Sequence, residues 1–167
     1  DIADWWERGE FPRHLVPKLA EMGYLGANLP EEYGGPGADF LYSAIIIEEL
    51  AYVGATGPGF SLHSDIVAPY ILHHGSEDLK RKWLPKFVSG ETIGAIAMTE
   101  PGTGSDLQGV KTTAVKDGNH LVINGSKTFI TNGQLADLVV VVTKTDEQAG
   151  AKGISLVLVE TDREGFS

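Results

Sequence analysis

The residues best suited to chemistry lie between Ala95 and Asp106, Ala-Ile-Ala-Met-Thr-Glu-Pro-Gly-Thr-Gly-Ser-Asp. Ile93 to Met98 reads as a short buried extended run, and polarity changes abruptly at Thr99. Pro101 fixes one φ angle and has no N–H to donate. Gly102 and Gly104 permit a tight turn and a close approach of the backbone to a ligand. Thr99, Thr103 and Ser105 add hydroxyls, and the glycine amides can face an anion as in a nest. This composition suits a loop that wraps a polar, phosphorylated molecule. The same residue types also build plain turns, so the loop alone leaves both readings open. Its glycine spacing is not that of a dinucleotide fingerprint, and no Gly-Lys-Ser/Thr follows as in a Walker loop. A second stretch, Asn124-Gly-Ser-Lys-Thr-Phe-Ile-Thr-Asn-Gly133, favours the ligand reading.

The elements that must hold these stretches divide into two kinds. Up to about Glu91 the pattern is helical. Leu15, Val16, Leu19 and Met22 recur at helical spacing after Pro12, with Gly23 as a stop. Leu25 to Ala38 reads as a loop broken by Pro30, Gly34, Gly35, Pro36 and Gly37. Asp39 caps an apolar helix to about Val53, with Glu48 and Glu49 on its wet side. A helix from Phe60 to His74 should kink at Pro69. Ser76 caps another from Glu77 to about Leu84, acidic at its start and basic toward its end, as the helix dipole favours. Trp5, Trp6 and Trp83 read as packing residues.

Beyond Gly90 the pattern becomes extended. Strands are expected over Thr92–Met98, Lys111–Lys116, His120–Ile123, Leu138–Lys144 and Ile154–Glu160, with Asp117-Gly118 as a hairpin turn. The apolar run Val139 to Val142 predicts a strand buried on both faces. The fold class is therefore α+β: an all-α domain over residues 1–91, then a β domain over 92–167 that reads as a barrel or sandwich lacking its remaining strands. Both ends of the sequence read as interior to a longer protein.

Composition narrows the partners. The chain has 167 residues, 42% of them hydrophobic, enough for a packed core. A formal net charge of −10 argues against a nucleic-acid binder. The absence of cysteine removes disulfides, thiolate catalysis and zinc–thiolate sites. No apolar run approaches a membrane span. His73 and His74 are adjacent on a helix and face different ways, which speaks against a metal pair.

Ala97 to Asp106, followed by Asn124 to Gly133, resembles the paired flavin-binding signature of the acyl-CoA dehydrogenases, and the resemblance covers the whole chain. Gly57-Pro-Gly-Phe-Ser-Leu-His63, His74-Gly-Ser-Glu77, Leu107-Gln-Gly-Val-Lys111 and Gly153-Ile-Ser-Leu156 are most similar to the long-chain branch. The resemblance implies a helical N-terminal domain and an incomplete antiparallel β-barrel as middle domain, with the C-terminal helical domain absent. It implies FAD and the α,β-dehydrogenation of fatty acyl-CoA thioesters, with the cofactor carrying the redox step. It assigns the flavin lining to Ile96, Ala97, Met98, Thr99, Glu100, Pro101, Gly102, Thr103, Gly104 and Ser105, and a second contact to Phe129, Ile130 and Thr131. Thr99 would meet the ring edge, Gly104 and Ser105 the pyrophosphate, and Thr131 the flavin N5. Alternation along Thr128–Thr131 would put Phe129 and Thr131 on one side of a strand. Some family members carry Trp where this chain has Phe129, which has less stacking area and no N–H.

Substrate contacts are implied at Ser105 and at Ala151 and Lys152, where Lys152 either faces a CoA phosphate or is a solvated lysine. No catalytic base and no metal ligand is expected in this chain. Glu100 is expected to order its loop, because the family's catalytic glutamate lies in the C-terminal domain. The implied partners are acyl-CoA, an electron-transferring flavoprotein and further copies of the full-length chain, as a homodimer or homotetramer. The implied location is the cytoplasm of a bacterium or the mitochondrial matrix of a eukaryote. The rival readings are an acyl-CoA oxidase or flavin monooxygenase of the same fold, and a non-catalytic module that retains the fold.

Overall fold

A computed structural model of the chain describes residues 2–9 and 11–167, without the side chains of Ile2 and Trp6. The packing role expected of Trp6 thus lies outside the described side chains. The chain forms two compact units, Asp1–Gly94 and Ala95–Ser167.

The first unit is helical: α1 (Ile2–Arg8), α2 (Leu15–Glu21), α3 (Phe40–Tyr52), α4 (Ala68–His74) and α5 (Glu77–Ser89). Helix α2 starts later than Pro12, because residues 12–14 form a turn that receives the amides of Leu15 and Val16. Pro17 then falls in the first helical turn, where a missing N–H costs no intrahelical bond. Residues 25–38 do more than connect. Leu25 and Leu29 are fully buried, and Glu31–Tyr33 forms a 3₁₀ turn that buries Tyr33. Asp39 caps α3 by accepting from the Leu41 amide at 2.8 Å. Only Ser43 of α3 is fully buried, while Phe40, Leu41, Tyr42, Ile45 and Tyr52 are exposed.

The expected single helix kinked at Pro69 is replaced by a π-helical segment, Leu62–Val67, running into α4. Pro69 lies in the first turn of α4, so the change of register precedes it. The π segment turns His63, Ser64 and Val67 inward, and Ser64 Oγ accepts from the Gly26 amide at 3.0 Å. Helix α5 begins at the Ser76 cap but continues past Leu84 and through Pro85 to Ser89. Burial of Trp83, Leu84 and Phe87 holds it together across the proline.

The second unit is a five-stranded sheet: β1 (Gly94–Ala97, entering from the last residue of the first unit), β2 (Thr113–Asp117), β3 (His120–Asn124), β4 (Leu138–Lys144) and β5 (Ile154–Glu160). Strand β4 is central and pairs with β5 along its whole length, Leu138 opposite Glu160 and Lys144 opposite Ile154. Its first six residues are all buried, as a continuous apolar run requires. The order β1-β4-β2-β3 leaves the sheet open rather than closed as a barrel. It is also mixed rather than purely antiparallel. Strands β2 and β4 run parallel and pair at Thr113 and Lys144, because the Thr112 carbonyl accepts from the Lys144 amide at 2.8 Å. Strand β1 is shorter than expected, and all four of its residues are buried.

Candidate functional site

The two signature stretches lie side by side in the second unit. The Thr128 amide donates to the Thr99 carbonyl at 2.9 Å. The Lys127 ammonium donates to the Met98 carbonyl at 3.0 Å and to Glu100 Oε1 at 2.9 Å. Glu100 and Thr103 exchange both backbone hydrogen bonds, at 2.9 and 3.1 Å, and so close the turn that carries Pro101 and Gly102. Thr103 is buried within it, whereas Pro101, Gly102, Gly104 and Ser105 are exposed. Among the described residues, the Gly104 and Ser105 amides have no acceptor in the protein. A Cβ built at Gly102 or Gly104 would meet nothing within 4 Å, and neither residue has a left-handed backbone. The fold's own packing therefore does not require glycine here. What glycine leaves is an open face with free donors, the form a phosphate cradle takes.

Glu100 is turned inward. Its carboxylate accepts from the Lys111 amide at 2.6 Å, the Thr112 amide at 3.0 Å, the Thr112 hydroxyl at 2.6 Å and Lys127. Burial raises its pKa, but hydrogen bonds from Thr112 and Lys127, then from the two amides, outweigh that and hold it at about 2. The group is an ionised structural anion, saturated with donors.

The stretch Thr128–Thr131 is not a strand, contrary to the alternation expected of it. Phe129 has φ 57° and Asn132 φ 65°, so the chain turns twice through the left-handed region. Ile130 is directed inward against Ala95, Ala97, Ala136, Val139 and Val141. Thr131 is exposed, and Phe129 is 94% exposed. Inward and outward positions thus still alternate, but a tight turn anchored by Ile130 produces them. Thr128 Oγ1 is buried without a hydrogen-bond partner. Ile96 and Ala97 are buried in β1, and Met98 and Thr99 are half-buried.

Residues 1–91 match the family model described as acyl-CoA dehydrogenase, N-terminal domain, and residues 95–167 match the acyl-CoA dehydrogenase middle domain. The chain belongs to the acyl-CoA dehydrogenase family. It is 54% identical over 166 residues to the mitochondrial long-chain specific acyl-CoA dehydrogenase of Sus scrofa, covering 98% of this chain and 39% of that protein. Its fold is similar to that of an acyl-CoA dehydrogenase from Geobacillus kaustophilus, with TM-score 0.94 and 56% identity over 98% of this chain and 43% of that one. It is also similar to a glutaryl-CoA dehydrogenase from Mycobacterium smegmatis in complex with FADH2, with TM-score 0.89 and 35% identity over 98% of this chain and 41% of that one. The chain therefore spans about two fifths of the length of these relatives.

Other residues expected at an acyl-CoA dehydrogenase site lie elsewhere in the same unit. Ala151 and Lys152 are exposed on a 3₁₀ turn, Gly150–Gly153, between β4 and β5. Neither shares a hydrogen bond with the two signature stretches among the described residues. The described residues hold no cluster suited to a metal ion and no helix long and apolar enough to cross a membrane. Sequence reasoning missed Lys127, Thr112 and Gly125. A Cβ on Gly125 would overlap the Thr112 side chain, so glycine there lets Thr112 reach Glu100. The available signal was Lys127 itself, the one charged residue between Asn124 and Gly133.

Proposed function

We propose that residues 92–167 form the flavin-contacting middle domain, and residues 1–91 the N-terminal domain, of an FAD-dependent dehydrogenase acting on fatty acyl-CoA thioesters. Bound FAD would supply the acceptor for a hydride leaving the acyl Cβ. The residues suit such a guest. The open Gly102–Ser105 face carries unpartnered amides suited to a pyrophosphate. Thr99 and Thr131 bring hydroxyls for the rim of a ring, and Thr131 would stabilise charge arriving at N5. Ile130 anchors the turn, and Phe129 offers an aromatic face. Met98, Glu100, Pro101 and Thr103 support the loop, while Ser105, Ala151 and Lys152 would meet the CoA thioester. The Mycobacterium relative, with its FADH2, supports the choice of flavin.

One observation carries the reading. An aromatic side chain that is 94% exposed is held in a left-handed backbone, one residue past the hydrogen bond joining the two signature stretches. Strain and exposure together serve no packing purpose inside the unit, but both suit a surface that meets a flat apolar ring. The proton-removing carboxylate is proposed to lie outside these 167 residues, since Glu100 is fully engaged. Electrons would pass to an electron-transferring flavoprotein, and the full-length protein would be a homodimer or homotetramer, cytoplasmic in a bacterium or in the mitochondrial matrix of a eukaryote. The test is to purify the full-length protein, measure its flavin, and add a straight-chain acyl-CoA without oxygen. Bound FAD that bleaches is the expected result; a protein that takes up no FAD overturns the proposal.

A further inference from the structure

We propose that Lys127 and Glu100 are positioning residues, a buried ion pair that sets the spacing between the Gly102–Ser105 loop and Phe129. The inference rests on the reading of both stretches as flavin contacts. Side chains of Lys127 and Glu100 are only 10% and 5% exposed. Removing two charges from water offsets most of their attraction, so such a pair adds little net stability. It does fix direction. Glu100 receives four donors from three places: the chain leaving the loop at Lys111 and Thr112, the second stretch at Lys127, and the Thr112 hydroxyl that Gly125 admits. Lys127 closes the frame on the Met98 carbonyl, and the adjacent Thr128 amide closes it again on Thr99. The backbone of the same Glu100 forms the base of the Glu100–Thr103 turn. The open loop thus departs from one member of the pair, and Phe129 stands two residues beyond the other. A shift of either charge would move both surfaces that the flavin is read to touch.

The test uses the full-length protein, amide hydrogen exchange and FAD titration, on wild type, Lys127→Met, Lys127→Arg and Glu100→Gln. Lys127→Met, which leaves Glu100 buried without its cation, is expected to speed exchange at residues 99–112 and 125–133 at least about tenfold more than in β4 and β5. It should also weaken FAD binding at least about tenfold, and Lys127→Arg should restore most of both. If Lys127→Met does not accumulate, Glu100→Gln, which keeps the shape and removes the charge, gives the same comparison. Equal acceleration in β4 and β5 would make the pair a general stabiliser and overturn the proposal, as would unchanged exchange in the two stretches. If the wild type takes up no FAD, the flavin reading falls, and exchange alone decides for or against the ion pair.

Discussion

Phe129 concentrates the tension between folding and function in one residue. A non-glycine residue at φ 57° costs on the order of 1–3 kcal/mol, and a ring that is 94% exposed recovers almost none of it by burial. Asn132, also left-handed, is less costly, because asparagine tolerates that region. Phe129→Gly should therefore relieve strain while removing the aromatic face. The flavin-free protein is expected to be as stable as wild type or more so, by up to about 1 kcal/mol, while FAD binding weakens at least about tenfold. Thermal unfolding of the flavin-free protein and an FAD titration check this. A variant that loses stability instead would make Phe129 a structural residue. The residue type was legible in the sequence, but its backbone was not. Thr-Phe-Ile-Thr alternates in a strand and in this turn alike, and only the inward Ile130 distinguishes the two once the core is known.

Among the elements, the π segment Leu62–Val67 has the clearest physical consequence. It turns His63 into the first unit, where Nδ1 accepts from the Gly94 amide at 3.0 Å. Nε2 then carries the proton and donates to the Phe87 carbonyl at 3.1 Å, while the ring stacks on Phe87 at 4.4 Å. One neutral tautomer satisfies both bonds, and a second proton would destroy the one to Gly94. Burial lowers the His63 pKa from 6.5 to about 4, against a smaller opposing effect of the Phe87 bond. Because the folded value lies below the unfolded one, this contribution is present above pH 6.5 and is lost as pH falls toward 4. It amounts to about 3 kcal/mol across that window. Asp65, raised by burial, has the opposite slope, and Glu100 at about 2 changes mainly at lower pH. His63→Gln is thus expected to flatten unfolding stability between pH 6.5 and 4, measured by denaturant titration at several pH values; an unchanged slope would assign it to other groups. The sequence announced the caps at Asp39 and Ser76 and the full extent of β4 and β5, because these rest on local hydrogen bonds or uninterrupted apolar runs. It did not announce the π segment or the passage of α5 through Pro85, since both depend on burial supplied by residues distant in sequence. The Glu100–Lys127 pair was illegible for the same reason, being 27 residues apart.

At the scale of the whole molecule, binding and chemistry separate. A chain of net charge −10 offers no long-range attraction to an anionic CoA ester, so the proposed recognition would rest on local amides and individual lysines. Removing a proton from an acyl Cα requires a carboxylate that is accessible and not already stabilised as its anion. Glu100 meets neither condition, with its oxygens filled and its pKa at about 2. Among the described residues, Asp65 is the other carboxylate with a clear shift, raised by burial against a smaller lowering by a hydrogen bond with Ser43, and its Oδ1 is buried without a partner, so its chemistry is closer to that of a base. Yet the cavity it lines, with Tyr24, Ser43 and Phe60, has room for one water molecule at most, too little for a thioester. The 167-residue chain, mixed with FAD and a long-chain acyl-CoA without oxygen, is therefore expected to leave the visible absorbance of the flavin unchanged over hours. Bleaching that vanishes in Asp65→Asn would place the base in the helical unit, and bleaching lost in Glu100→Gln would place it in the loop. With neither, the proposed function puts the carboxylate in another part of the full-length protein, and adding that part back as a separate chain is expected to restore the bleaching.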